Sequence, residues 1–206
     1  MRILVFSDIH NDLRALRRLI DSEADYYVAA GDLVSWERGL DSCGEILKAK
    51  AAKVWVLPGN HETVEQIAEF CDRYGLRDIH DQLFEVGGIW FGGLGYSSPT
   101  PFHTPGEYSE EQLARRLSRF AESKPSIMIC HAPPYGRSHA CICAFVATAP
   151  KMRSEPTRCG AGRRPLSIRR SAGAHRSVLV SPSARSSAST GDPPFGASTR
   201  LYGTRK

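Results

Sequence analysis

Ile3-Leu4-Val5-Phe6-Ser7-Asp8-Ile9-His10 opens the chain as a short apolar run that stops abruptly at a carboxylate and an imidazole. Its four apolar residues include two β-branched and one aromatic side chain, the make-up of a strand buried on both faces. The layout recurs. Tyr26-Tyr27-Val28-Ala29-Ala30 runs into Gly31-Asp32, Val54-Trp55-Val56-Leu57 into Gly59-Asn60-His61-Glu62, and Ile127-Met128-Ile129-Cys130 into His131.

Helical periodicity fills the gaps. Leu13, Leu16, Leu19 and Ile20 share one helical face behind the polar start Asn11-Asp12, and Leu40, Cys43, Ile46 and Leu47 do the same before the third run. The order is therefore βαβαβ. Thr63-Val64-Glu65-Gln66 has the form of a capping box, and the helix it opens is expected to run to Tyr74 and stop at Gly75. Residues 84–91 read as two strands about a Gly87-Gly88 turn, and Ser109-Glu110-Glu111-Gln112 caps a helix carrying Leu113, Leu117 and Phe120. The sum is a layered α/β fold.

Charge divides the chain. Residues 1–136 hold 14 Lys/Arg and 20 Asp/Glu, and residues 137–206 hold 13 and 2, so the front carries −6 and the back +11 of the net +5. The first 136 residues are read as one domain. From 137 onward Arg, Ser, Pro, Ala and Gly dominate, and only Ser177-Val178-Leu179-Val180 reads as a strand. Two readings fit that composition: a disordered tail, because it buries too little surface to offset chain entropy, or a shifted reading frame, because those residues have GC-rich codons. A nucleic-acid arm fits poorly, since the tail lacks interleaved aromatics and Lys/Arg runs longer than two. No apolar run approaches membrane-spanning length and the start is too soon acidic for a secretory signal, so a cytoplasmic location is expected. Cys43, Cys71, Cys130, Cys141, Cys143 and Cys159 are irregularly spaced and read as reduced thiols; His139-Ala140-Cys141-Ile142-Cys143 lacks zinc-knuckle spacing.

The strand ends carry the chemistry. In open α/β sheets, ligands gather outside the carboxyl ends of the strands, so four such ends can bring distant residues into one crevice. Carboxylate, imidazole and amide oxygen without thiolate suit Mn, Fe, Zn or similar divalent ions. Asp8 and His10 are two apart, which in a pure strand would place both on one face and here would let both reach one ion as the strand ends. Gly31 and Gly59 sit where the chain leaves a strand sharply, and a positive φ there lets the next side chain turn inward. Trp36, Tyr96 and Phe102 are candidate pocket aromatics, with core or loop packing the commoner role for such residues.

Asp8-x-His10, Gly31-Asp32, Gly59-Asn60-His61-Glu62 and His131, in this order, resemble the signature of the calcineurin-like metallophosphoesterase family over residues 1–135. The resemblance implies a β-sandwich flanked by helices and a phosphoesterase acting on monoesters or diesters through two divalent metal ions and a bridging hydroxide. It further implies that Asp32 bridges both ions, with Asp8 and His10 completing the ligands of one and Asn60 and His131 those of the other. His61 would stand near the phosphate as acid or electrostatic stabiliser, and Glu62 would orient it from behind. The substrate would be a small phosphoester.

One element of that signature is missing. Gly-His-x-His, which supplies a further ligand to each metal, has no match after His131, where His139 and His175 stand isolated. The C-terminal part of the fold is accordingly expected to be incomplete and activity impaired. A catalytically inactive relative serving as a binding scaffold is the alternative.

Overall fold

A computed structural model describes residues 1–123 and 125–132, together with the strand backbones at 143–146, 166–170 and 176–182. Strand β1 (Ile3–Ser7), helix α1 (Leu13–Asp21), strand β2 (Tyr26–Ala30), helix α2 (Leu40–Leu47) and strand β3 (Val54–Leu57) form the expected βαβαβ unit, with a 3-10 segment (Lys48–Lys53) leading into β3. Helix α3 (Val64–Tyr74) and the two-residue strand β4 (Arg77–Asp78) follow. Next come the hairpin of β5 (Gln82–Val86) and β6 (Ile89–Leu94), helix α4 (Glu110–Ser123) and strand β7 (Ile127–Cys130). Strands β8 (Cys143–Val146), β9 (Leu166–Arg170) and β10 (Arg176–Pro182) are the remaining elements described.

These strands make two sheets, one in the order β4-β3-β2-β1-β10-β9 and the other β5-β6-β7-β8. β1 through β4 are parallel, and β10 joins β1 antiparallel with Ile3 opposite Val180. The parallel strands are apolar along their length because both their faces are covered. Leu4, Phe6, Tyr27, Ala29, Val54 and Val56 pack against α1, α2 and α3, while Ile3, Val5, Val28, Ala30, Trp55 and Leu57 meet Phe84, Phe91, Ile127 and Ile129 of the second sheet. Trp55 anchors that interior, with ring centroids 4.6, 4.9 and 5.6 Å from Tyr26, Phe84 and Phe91. Truncating a buried aromatic of this kind costs about 3–5 kcal/mol.

Local signals act as read. Thr63 and Gln66 form the reciprocal capping box of α3, a cap whose loss costs about 1 kcal/mol, and Gly75 ends the helix at φ +67°. Asp12 caps α1 by accepting from Ala15 N, and Ser109 and Gln112 exchange bonds ahead of α4. Gly87 and Gly88 supply the two left-handed residues of the β5–β6 turn, at φ +59° and +78°.

The boundary at 136/137 and most of the tail lie outside the described residues, as do His139, Cys141, Cys159 and His175. Ser177–Val180 falls within β10, while β8 and β9 are strands that the sequence did not announce. Cys43, Cys71 and Cys130 are free and buried. Among the described residues no helix is long and apolar enough to cross a membrane.

Candidate metal centre

The crevice is built at the carboxyl ends of β1, β2, β3 and β7, and the chain leaves the first two through left-handed backbone. β1 stops at Ser7, so Asp8 and His10 do not share a strand face. They enter through left-handed backbone at φ +57° and +45°, with their N–H groups bonded to the carbonyls of Gly31 and Asp32 at 3.2 and 3.0 Å. That backbone, and not a shared strand face, brings the two side chains near each other at the strand end. Asn11, Asp32, Trp36 and Glu37 are left-handed as well, at φ +67°, +54°, +51° and +63°. Each such non-glycine residue costs on the order of 1 kcal/mol, and residues of this kind gather at functional sites.

The two glycines act by different means. Gly31 has the expected positive φ of +90°, and a Cβ there would also lie 2.5 Å from Gly59 Cα and His131 Nδ1. Gly59 is not left-handed. Its missing side chain makes room for Asp32, because a Cβ would stand 2.0 Å from Asp32 Oδ1.

Asp32 is the centre of the arrangement and is buried. Its Oδ1 accepts the His61 backbone N–H at 3.1 Å, which turns Oδ2 into the crevice. That oxygen lies 3.8 Å from His10 Nε2 on one side and 3.6 Å from His131 Nε2 on the other. Asp8 Oδ1 is 4.0 Å from His10 Nε2, and Ser7 donates to Asp8 Oδ2. The ring centroids of His10 and His61 are 5.1 Å apart, edge to face, and His10, Asp32 and His61 form a group whose ligand atoms all lie within 4.8 Å of one another. His61, read from sequence as catalytic, thus also stands where a metal ligand could.

Tautomers follow from the partners. The Ala30 carbonyl can only accept, so the His131 Nδ1 at 2.9 Å is its donor, and Nε2, when it carries no proton, turns its lone pair into the crevice. There it faces Asn60 Oδ1 at 3.1 Å and Asp32 Oδ2 at 3.6 Å. The Asn60 orientation is fixed independently, because its Nδ2 donates to Thr104 Oγ1 at 3.2 Å and Thr104 donates to Glu107 Oε1 at 2.6 Å. Three acceptors therefore converge, and either a proton on Nε2 or a cation must sit among them. A divalent metal that prefers nitrogen and oxygen fits this donor set, and separations of 3.6–4.0 Å are too long for hydrogen bonds between the groups themselves.

His61 Nδ1 accepts the Trp36 backbone N–H at 3.2 Å, which leaves an Nε2–H in the neutral ring. Burial lowers its pKa below the ordinary imidazole value, against the raising effect of Asp32. Glu62 does not serve as the support for His61 that the sequence suggested. Fully buried, it accepts from the backbone N–H groups of Gly59, Asp32 and Val34 at 2.8, 3.0 and 3.0 Å, tying the loop after β3 to the loop after β2. Burial and the charge of Asp32 push its carboxyl up to about 7, against the opposing pull of the Val34 and Gly59 amides.

Sequence reading missed Thr104 and Glu107. Glu107 gathers Thr100 Oγ1, Thr104 N and Thr104 Oγ1, and the Thr100 and Thr104 hydroxyls hold its carboxyl down to about 2. No local pattern marks these residues, because what they support lies 44 positions earlier. Tyr96 takes the packing role: its hydroxyl accepts from Val64 N at 2.9 Å and its ring lies tilted against Tyr108 and His80, with centroids 4.7 and 5.7 Å away.

The family profile described as calcineurin-like phosphoesterase matches residues 1–151. The chain belongs to this family. A curated relative, the uncharacterized protein MJ1162 of Methanocaldococcus jannaschii, is 31% identical over 137 residues, which are 66% of this chain and 62% of the relative. The chain thus spans under two-thirds of the length of that relative. A crystal structure of a protein of unknown function, AQ665 from Aquifex aeolicus, aligns over 68% of this chain and 82% of its own at 16% identity, with a TM-score of 0.43.

Proposed function

We propose that this calcineurin-like chain hydrolyses phosphomonoesters or phosphodiesters with two divalent metal ions held in the crevice. The observation that carries the reading is Asp32 Oδ2 standing between two imidazole nitrogens, His10 Nε2 at 3.8 Å and His131 Nε2 at 3.6 Å. Asp8 and His10 would hold one ion and Asn60 and His131 the other, with Asp32 shared. When bound, a metal pair lowers the pKa of a water and draws charge from phosphoryl oxygens. His61 presents its Nε2–H to the phosphoryl or leaving oxygen, with its ring oriented by the Trp36 backbone N–H on Nδ1. Glu62 and Thr104 hold Asp32 and Asn60 in place before any ligand arrives.

Metal titration by calorimetry beside Mn-dependent hydrolysis of an aryl phosphate tests this. Metal uptake accompanied by hydrolysis that a chelator abolishes is the expected result. Metal uptake with no hydrolysis of monoester or diester overturns it in favour of an inactive binding scaffold, the reading favoured by the missing Gly-His-x-His.

A further inference from the structure

Trp36 lies on the turn between β2 and α2, half exposed at 49%, with its ring centroid 5.5 Å from that of His61 and the two planes at 82°. Ser35 and Arg38 bridge across this turn, with Arg38 N bonded to Ser35 O at 3.3 Å, so Trp36 and Glu37 are its two central residues, both left-handed. That is the pattern of a type I′ turn, which glycine and asparagine fill without strain. The same chain puts Gly87-Gly88 in the equivalent positions of the β5–β6 hairpin. Turn geometry alone therefore does not call for Trp-Glu at 36–37, and a tryptophan there both strains the backbone and leaves an indole in water.

The turn is also fastened to the crevice on both sides. Trp36 N donates to His61 Nδ1 at 3.2 Å and Glu37 N to the His61 carbonyl at 3.0 Å. Asn11, next to His10, accepts from Ser35 N at 3.1 Å and donates to the Arg38 carbonyl at 3.0 Å. The turn that carries the indole is thus held in place beside His61, which the ring meets edge to face. Among the exposed large apolar side chains of the described residues, Trp36 has a ring contact with a crevice imidazole.

We propose that Trp36 is a stacking platform for the organic part of the substrate, so that the site selects phosphoesters whose leaving group carries a planar aromatic ring. The inference rests on the phosphoesterase reading above. A leaving oxygen within reach of His61 Nε2–H brings a ring bonded to it over the neighbouring indole, where a flat π-face gains dispersion and excludes water from both surfaces. An aryl ester and a nucleotide share this chemistry.

The test compares phenyl phosphate, adenosine 5′-monophosphate and glycerol 1-phosphate as substrates of the Mn-loaded full chain, wild type, Trp36→Ala and Trp36→Phe. The alanine change keeps the backbone N–H that holds His61. It should lower kcat/KM for a ring-bearing substrate relative to glycerol 1-phosphate by about tenfold, mainly through KM, and phenylalanine should restore most of the loss. The larger loss on phenyl phosphate identifies an aryl ester, and the larger loss on the nucleotide a nucleobase. Unchanged ratios for both overturn the proposal. A binding readout separates its failure from that of the phosphoesterase reading. Phenylphosphonate, unlike methylphosphonate, should quench tryptophan fluorescence in wild type and not in Trp36→Phe, which retains Trp55 and Trp90. Quenching that persists in Trp36→Phe overturns the platform, whereas its loss there without any hydrolysis upholds the platform and sinks the phosphoesterase reading alone.

Discussion

Asn60 donates through Nδ2 to Thr104 Oγ1 at 3.2 Å, across 44 positions of sequence, and this bond decides which end of the amide faces the crevice. Thr104 is buried and donates its hydroxyl hydrogen to Glu107 at 2.6 Å, so its oxygen is left as an acceptor. Thr104→Val removes that acceptor at nearly equal volume and frees the amide to turn. Metal affinity measured by calorimetry should fall about 10-fold or more, as for other lost supports of a ligand, and Thr104→Ser should restore it. Equal affinity in the valine variant would show that the Asn60 orientation is set elsewhere.

Asp32 and His61 should separate binding from turnover. Asp32→Asn removes the charge shared by both halves of the crevice, so metal uptake drops in calorimetry whatever the substrate. His61→Ala should spare uptake and lower kcat by about 100-fold, the usual scale for a lost proton or hydrogen-bond donor. With Gly-His-x-His absent, wild-type uptake should itself be weak, and full two-metal occupancy at micromolar ion would reveal ligands beyond those named.

Gly59→Ala places a methyl 2.0 Å from Asp32 Oδ1 and 2.4 Å from its backbone nitrogen. Neither atom can retreat easily, since Asp32 N is bonded to Glu62 and Oδ1 to His61 N. Overpacking of this kind costs about 1–3 kcal/mol, and urea unfolding should show that loss together with a loss of metal uptake. An unchanged midpoint would mean that the loop after β3 yields more readily than its contacts indicate.

His80 should shape the acid limb of stability. Its Nδ1 accepts from Gly95 N and its Nε2 faces Tyr108 Oη at 3.0 Å, while burial pushes its pKa down to about 4 from an ordinary 6.5. A depressed imidazole means that the unfolded chain takes up the proton first, so stability is intact above about pH 6.5 and falls as pH drops towards 4. The loss is on the order of 3 kcal/mol. His80→Gln, which keeps a donor and an acceptor, should flatten the difference between urea midpoints at pH 7 and pH 4.5; an equally steep difference in the variant would assign it to other groups.

The parallel core was legible because Ile3–Phe6, Tyr26–Ala30 and Val54–Leu57 are uninterrupted apolar runs stopped by Ser7, Gly31 and Pro58, and α3 because Thr63 and Gln66 write its cap into four residues. β4 could not be read, since Arg77-Asp78 has no apolar face and pairs through its backbone with Trp55 and Val56. β9 ends in Arg169-Arg170, a composition that says nothing of strand. In the crevice, strand-end placement pointed to Asp32, Asn60 and His131. What it could not convey was the left-handed entry of Asp8 and His10, the steric reason for Gly59, or the destination of Glu62, each of which depends on how two loops approach in space.

Glu62 gives the crevice an unusual kind of memory. Because this carboxylate of the loop after β3, with no solvent exposure, accepts from two amides of the loop after β2, the two loops cannot part without stripping Asp32 and Val34 of their acceptor together, while Gly59 keeps its bond within its own loop. The amide protons of Asp32 and Val34 should therefore exchange with solvent together, in a single opening event. Metal stripped from the protein would leave behind a floor that keeps its shape, so reloading would be governed by the arrival of the ion and not by rebuilding the loops.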